Sequence, residues 1–138
     1  MRISVALVLV LASLMPSVAQ DDRVPWQRTV TGQIEAFRAE DGAAALALAG
    51  EGFREQFEGQ PEAFYAAIVL SGYQPVVQSR SHSFGKFTRV SETVVAQVVL
   101  LVGPDQGLYE ALYQLSNEPG EGWRVLGVAL RKQPGIGI

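Results

Sequence analysis

The chain has a single histidine, and two serines flank it in the octapeptide RSHSFGKF, residues 80–87. A serine hydrolase uses a hydroxyl beside an imidazole, but it needs the two groups within hydrogen-bond reach and a carboxylate to orient the ring. The octapeptide has the pattern of a β-strand, in which His82 points away from Ser81 and Ser83. The sequence also has no Gly-x-Ser-x-Gly nucleophile elbow. We therefore interpret His82 as a polar strand position and predict no catalytic residue.

Acid–base chemistry of the kind that isomerases, dehydratases and cyclases use is a second possibility. It needs an acid or a base inside an apolar cavity, with a tyrosine or a second acid opposite. The inward face of the second predicted strand carries no ionisable group, which favours binding over catalysis. Tyrosines would supply apolar walls with hydroxyl groups, Arg80 at the mouth would pair with an anionic head group, and His82 could lie beside it. The predicted ligand-binding residues are Tyr65, Arg80, His82, Tyr109 and Tyr113.

Metal, nucleotide and nucleic-acid chemistry have little support. The chain has no cysteine, so thiolate ligands and disulfides are excluded, and the acidic residues near Glu40 lack the spacing of a calcium loop. Lys86 has no upstream glycine at phosphate-loop spacing. The formal net charge is −3 and no basic cluster is present, which disfavours nucleic acid and anionic membranes as partners. We predict no metal and no cofactor.

The first 19 residues have the layout of a secretory signal peptide. Arg2 precedes an apolar run of about 12 residues, and Pro16 ends that run before Ala19, the predicted cleavage site. A membrane span would need about 20 apolar residues. We therefore expect a periplasmic or secreted protein with no membrane association after cleavage. Residues 20–24 form a polar leader, residues 25–131 a single domain and residues 132–138 a flexible tail.

Hydrophobic periodicity changes from helical to strand-like along the domain. A stripe of Trp26, Val30, Ile34 and Phe37 predicts a helix that begins at Pro25 and fades near Glu40. Short helical segments follow over 43–49 and near Phe53, and Pro61 opens another helix that Gly72 ends. Gln74-Pro75 is predicted to be extended. Four strands are predicted at about 76–89, 93–102, 108–115 and 123–131, which indicates an α+β domain.

Both faces of the predicted sheet are largely apolar. We assign to the helix-covered core every second residue from Val94 in the second strand, from Tyr109 in the third and from Trp123 in the fourth. The opposite face then carries Val95, Gln97, Val99, Leu101, Leu108, Leu112, Leu126, Val128 and Leu130. Such a face is too apolar for water, so we predict a homodimer that buries it.

Four segments in order carry a resemblance to a known family. They are TVTGQIEAFRAEDGAAALALA, PEAFYAAI, the strand with Arg-Ser and Phe-Gly, and GEGWRVLGVAL. Together they resemble the bacterial domain of unknown function 4864, from about residue 24 to residue 131. The closing strand is also similar to that of the wider superfamily named after nuclear transport factor 2. The resemblance implies a cone in which N-terminal helices pack in the concave face of a curved, mainly antiparallel four-stranded sheet.

Members of that superfamily include enzymes and pure binding modules, so the resemblance implies a fold rather than an activity. We expect an exported, non-catalytic module that binds a small apolar or amphipathic ligand or a periplasmic protein. The alternative is an isomerase, dehydratase or cyclase that uses a pocket tyrosine or His82 as its acid. An enclosed cavity with convergent polar groups would favour a ligand, whereas a filled cone would favour a role through its surface.

Overall fold

The computed structural model of the protein describes residues 24–134. The predicted signal peptide, the leader up to residue 23 and the tail from residue 135 lie outside the described residues. Within residues 24–134, no helix has the length and hydrophobicity that a membrane crossing requires.

The N-terminal half of the described chain is helical. Its helices are α1 (Pro25–Arg38), α2 (Gly42–Ala47), α3 (Glu51–Gln56), α4 (Pro61–Ile68), a π-helical turn (Val69–Tyr73) and α5 (Gln74–Val77). Prolines open α1 and α4, where the missing N–H leaves no helical bond unmade. The side chain of Asp41 caps α2 by accepting a 3.0 Å hydrogen bond from the amide of Ala44. The apolar stripe predicted for α1 is confirmed, since all four of its side chains are buried.

The prediction that Gln74-Pro75 is extended is wrong. Gly72 turns the chain with φ of 92°, and Gln74 then adopts helical angles of −53° and −38°. Pro75 lies in the first turn of α5, a position that suits proline. The helical conformation of Gln74, which a following proline usually disfavours, moves the start of the first strand from the predicted residue 76 to Ser81.

The C-terminal half is one antiparallel meander. Its strands are β1 (Ser81–Arg89), β2 (Val94–Val102), β3 (Leu108–Glu118) and β4 (Gly122–Lys132), paired in the order β1-β2-β3-β4. The helices pack on one face of this curved sheet, and α1 and α5 contact it directly. The predicted α+β fold is confirmed.

The predicted division of the sheet faces is wrong for β2. Val95, Gln97, Val99 and Leu101 are buried at 2% exposure or less, whereas Leu100 of the other set is 40% exposed. Every second residue of β2 is apolar on either face, so periodicity alone could not choose between them. The pairing register determines which face of β2 is buried, because Gln97 pairs with Tyr113 and Val99 with Ala111, which lie on the core face of β3.

The predicted faces of β4 are wrong as well, because this strand contains a bulge. Gln114 pairs with Gly127 and Leu115 pairs with Val125, so Leu126 is left without a partner. One extra residue reverses the alternation beyond it. Val128 and Leu130 therefore pack against the core, although the sequence pattern predicts them on the opposite face.

Two buried clusters form the interior. The sheet cluster joins Trp26, Val30 and Ile34 of α1 to the inward residues of β2 and β3 and to Val76 and Val125. The helix cluster joins Phe37 and Phe64 to Ala36, Ala45, Leu46, Ala49 and Val77. The two clusters meet along α1, and a cavity lies where they meet.

Candidate functional site

A cavity of about 280 Å³ lies between the helix cluster and the sheet. Aromatic and aliphatic side chains form most of its wall, and they include Phe37, Phe53, Phe64, Ile68 and Val128. The π-helical turn contributes Ser71 and Tyr73, and β3 contributes Tyr113. The helix cluster and the sheet therefore do not fill all of the space between them. An apolar cavity with a few polar groups is the usual form of a small-molecule site.

Three of the polar side chains at the cavity already have partners within the protein. The amide nitrogen of Gln33 donates to the carbonyl of Ala45 at 3.0 Å. The hydroxyl of Ser71 donates to the carbonyl of Ala67 at 2.7 Å. The hydroxyl of Tyr73 donates to the carbonyl of Val128 at 2.6 Å. These donors hold the cavity wall together and are not free for a ligand.

Tyr113 differs from these three residues. Its side chain is fully buried, and its hydroxyl has no hydrogen-bond partner among residues 24–134. Burial raises the pKa of this phenol, so the group stays protonated and acts as a donor. A buried donor without a partner costs about 1–3 kcal/mol. The hydroxyl has almost no accessible surface, so an oxygen acceptor in the cavity would meet it only if the cavity wall shifts.

The five predicted ligand-binding residues do not form one site. Tyr113 lies at the cavity, whereas Tyr65 and Arg80 line a separate cleft next to Phe37. His82 and Tyr109 line a groove where β2 ends and where β1 and β3 begin. Their spacing in the sequence did not reveal this division, because the strand register and the π-helical turn set it.

His82 forms a hydrogen bond with threonine and not with serine. Its Nε2 atom lies 3.0 Å from the hydroxyl of Thr31 on α1, and its ring meets Phe84 edge-on at 5.6 Å. Burial lowers the pKa of His82 below 6.5, Glu35 opposes that shift and Arg38 adds to it. The ring is therefore mainly neutral at pH 7 and is a poor general acid.

Tyr109 is held at the turn between β2 and β3. Its hydroxyl donates to Asp105 at 3.0 Å, and Lys132 lies both 3.1 Å from that carboxylate and 5.7 Å from the tyrosine ring. The amide of Gly107 and these two groups lower the pKa of Asp105 to about 2. The same hydrogen bond to Asp105 raises the pKa of Tyr109. The arrangement stabilises the turn, and the hydroxyl of Tyr109 is already used in it as a hydrogen-bond donor.

Sequence reasoning missed two polar residues of the cavity, Gln33 and Tyr73. Gln33 lies beside Ile34 within the apolar stripe of α1, and a polar residue at a buried position is a signal that could have been used. Tyr73 offers no such signal, because it follows the glycine that was predicted to end the helix. In the part of the chain that the structure describes, no three acidic or histidine side chains gather to hold a metal ion.

Comparisons with known proteins agree with this architecture. A family model described as "Domain of unknown function (DUF4864)" matches residues 19–138. A solved domain of unknown function with a cystatin-like fold, from Nostoc punctiforme PCC 73102, is similar with a TM-score of 0.53. The two chains are 14% identical, and the similarity covers 88% of this chain and 82% of that one. At this identity the similarity shows the fold alone. No curated protein sequence matches the chain.

Proposed function

The chain belongs to the DUF4864 family, and on that premise we propose that it is a binding protein for a small, largely apolar molecule that carries an oxygen acceptor. The observation that carries the proposal is the hydroxyl of Tyr113, a buried donor without a partner at an apolar cavity. We also propose that the protein is exported and binds this molecule in the periplasm, because its N-terminal sequence predicts a signal peptide.

The volume of the cavity limits the size of the ligand. An apolar cavity of about 150 Å³ accommodates benzene. On that scale, the cavity of about 280 Å³ accommodates a molecule of about ten non-hydrogen atoms. A monocyclic or bicyclic ketone or a medium-length aliphatic chain has this size.

The proposal favours binding over the isomerase, dehydratase or cyclase alternative. An acid or base works best when its pKa lies near the working pH. Burial moves the pKa of Tyr113 upwards and away from that range. His82, the other candidate acid, lines a different groove. The cavity thus supplies shape and one donor, which is what recognition needs.

Two experiments test the proposal on protein purified from its native cells. Native mass spectrometry should detect a small molecule bound to the folded chain. Calorimetric titration should show binding of both indane and 1-indanone, with the ketone tighter by about tenfold, the equivalent of one hydrogen bond. The variant Tyr113→Phe should bind both probes equally. Failure of both probes to bind, together with an empty chain in the mass spectrum, would overturn the proposal.

A further inference from the structure

Gln33 places an amide group in the wall of the cavity. It lies on α1 between Val30 and Phe37, on the buried side of that helix, and it is itself 4% exposed. Burial of an amide is unfavourable unless its hydrogen bonds are formed. The amide has an NH₂ group that donates and an oxygen, Oε1, that accepts. The partners of these two groups therefore decide what Gln33 contributes to the cavity.

The orientation of this amide is fixed by α2. Nε2 of Gln33 donates to the carbonyl of Ala45 at 3.0 Å. A carbonyl oxygen only accepts, so the reversed amide would bring two acceptors together at that distance. Ala45 is completely buried, and Asp41 caps the helix to which it belongs. Oε1 of Gln33 therefore points away from Ala45.

Oε1 of Gln33 is an acceptor that the protein leaves free. Within residues 24–134, the side chain forms no hydrogen bond other than the one to Ala45. The unpartnered side-chain atoms that are completely enclosed in the same part of the chain belong to Ser79, Tyr113 and Arg124. Oε1 is not one of these atoms, so it has no partner but keeps accessible surface. Gln33 lines the cavity, which is the open space that this surface faces.

The rest of the lining determines which kind of donor suits Oε1. Among the described residues that line the cavity, none is acidic, basic or a histidine. A cationic donor would therefore have no counter-charge, and its transfer from water would be costly. A neutral N–H or O–H group avoids that cost. An apolar group against Oε1 would exclude water from the oxygen and return no hydrogen bond, which lowers affinity.

We propose that Gln33 determines specificity in the cavity by selecting a ligand with an uncharged hydrogen-bond donor. The inference rests on the proposed function and narrows its ligand to a molecule with an N–H or O–H group as well as an oxygen acceptor. A secondary amide or a lactam combines the two groups. Its N–H donates to Oε1 of Gln33, and its carbonyl supplies the acceptor that the proposed function assigns to Tyr113.

The test compares isoindolin-1-one with 1-indanone. Both probes have about ten non-hydrogen atoms, which agrees with the size limit of the cavity. They have the same bicyclic shape and the same carbonyl, but the lactam carries an N–H group where the ketone carries a CH₂ group. Calorimetric titration of the protein should show tighter binding of the lactam by about tenfold, the equivalent of one hydrogen bond.

Variants assign the donor and the acceptor separately. Gln33→Leu removes Oε1 and should bind the two probes equally. The carbonyl of Ala45 still accepts from the amide of Leu48 at 3.2 Å, so this variant should fold, and binding of indane checks that its cavity is intact. Tyr113→Phe should weaken both carbonyl probes alike and keep the preference for the lactam. Gln56→Leu, the same change at an exposed position of α3, should alter neither affinity.

The other outcomes separate this inference from the proposed function. If 1-indanone binds to the parent protein and the lactam binds no more tightly, the donor requirement is wrong and the proposed function is unaffected. If Gln33→Leu keeps the preference for the lactam, another group accepts from the N–H and the role of Gln33 is wrong. Gln33→Met is a second variant with the same expected result if Gln33→Leu does not fold. If indane, 1-indanone and the lactam all fail to bind, the proposed function is wrong and this inference fails with it.

Discussion

The indole nitrogen of Trp26 donates a 2.8 Å hydrogen bond to the side-chain oxygen of Gln97, a residue 71 positions later in the chain. Both side chains are almost completely buried. The amide nitrogen of Gln97 donates in turn to the carbonyls of Gly85 and Val98, at 2.9 and 2.8 Å. Gly85 lies in the bulge of β1, where the pairing with β2 shifts by one residue. One buried glutamine therefore joins α1, β1 and β2.

We predict that Gln97→Leu lowers the free energy of unfolding by about 3 kcal/mol. Leucine keeps the volume but leaves the Trp26 indole and the Gly85 carbonyl without partners, and each such buried group costs about 1–3 kcal/mol. Urea unfolding followed by circular dichroism measures the change. The double variant with Trp26→Phe is the control, because removing both partners should cost less than the sum of the single changes. Additive losses would show that the hydrogen bond itself is unimportant.

Tyr113→Phe should raise the stability of the empty protein by about 1 kcal/mol. The substitution removes a buried hydroxyl that has no partner and changes little else. Tyr73→Phe is the matched control, since it removes a hydroxyl that donates to Val128, and it should lower stability by about 1 kcal/mol. Thermal unfolding of both variants gives the comparison. Equal destabilisation by both changes would mean that Tyr113 has a partner and is not a free donor for a ligand.

The stability of the protein should fall as the pH is lowered through the range of His82. Burial lowers the pKa of this side chain in the folded protein below 6.5, its value in the unfolded chain. Between those two values the unfolded state binds more protons, so acidification favours unfolding. The stabilisation is complete above pH 6.5 and is lost as the pH falls towards the lower, folded pKa. Urea midpoints from about pH 8 to about pH 5.5 avoid most carboxylate titration.

His82→Gln provides the control for this titration. His82 is the only histidine of the chain, so the variant should lose most of the pH dependence in that range. Proton NMR of the imidazole in the parent protein measures the folded pKa without overlap from another ring. A folded pKa above 6.5 would reverse the sign and contradict the assignment of burial as the main cause.

Gly72 should resist substitution because of its backbone and not because of crowding. Its φ of 92° is unfavourable for any residue with a Cβ atom, yet no atom of a residue beyond the neighbouring chain lies within 4 Å of the site that a Cβ would occupy. Gly72→Ala should therefore cost about 1–2 kcal/mol. Gly52→Ala, at an equally open position inside α3, should be neutral or stabilising by about 0.5 kcal/mol. Equal effects of the two changes would exclude backbone strain as the cause.

The outer face of the sheet should bind a second copy of the chain. Leu100, Leu108 and Leu112 are 40%, 55% and 44% exposed, and Val98 and Val102 lie beside them in β2. Leu108 and Leu112 belong to the face predicted from the sequence, whereas Val98, Leu100 and Val102 replace the β2 residues predicted there. An apolar sheet face of this kind is typical of a two-fold interface. Light scattering should give a dimer for the parent and a monomer for Leu112→Lys. Leu70→Lys, an exposed change on the helical side, should leave the dimer intact, and a monomeric parent would contradict the prediction.

Local signals in the sequence determined most of the helices, the four strands and their order; the exception is α5, which lies where Gln74-Pro75 was predicted to be extended. Prolines at Pro25 and Pro61 open two helices, and the stripe from Trp26 to Phe37 indicates which side of α1 is buried. These features depend on residues within one or two turns, so no distant contact is needed to interpret them. The change to a period of two after residue 76 likewise predicts a meander of four strands. The fold class followed from these signals alone.

Tertiary structure decided which groups meet. Val94 and Val95 are equally apolar, so only the pairing of β2 with β3 and the packing of α1 could bury one set and expose the other. The bulges in β1 and β4 each shift the strand pairing by one residue, so the side chains beyond them change faces. Local periodicity does not predict such a shift. The same long-range pairing places Tyr113 at the cavity, where its hydroxyl has no partner among the described residues. It places Arg80 at a separate cleft. The candidate residues were therefore recognisable by type, but their assembly into sites depended on contacts between segments far apart in the chain.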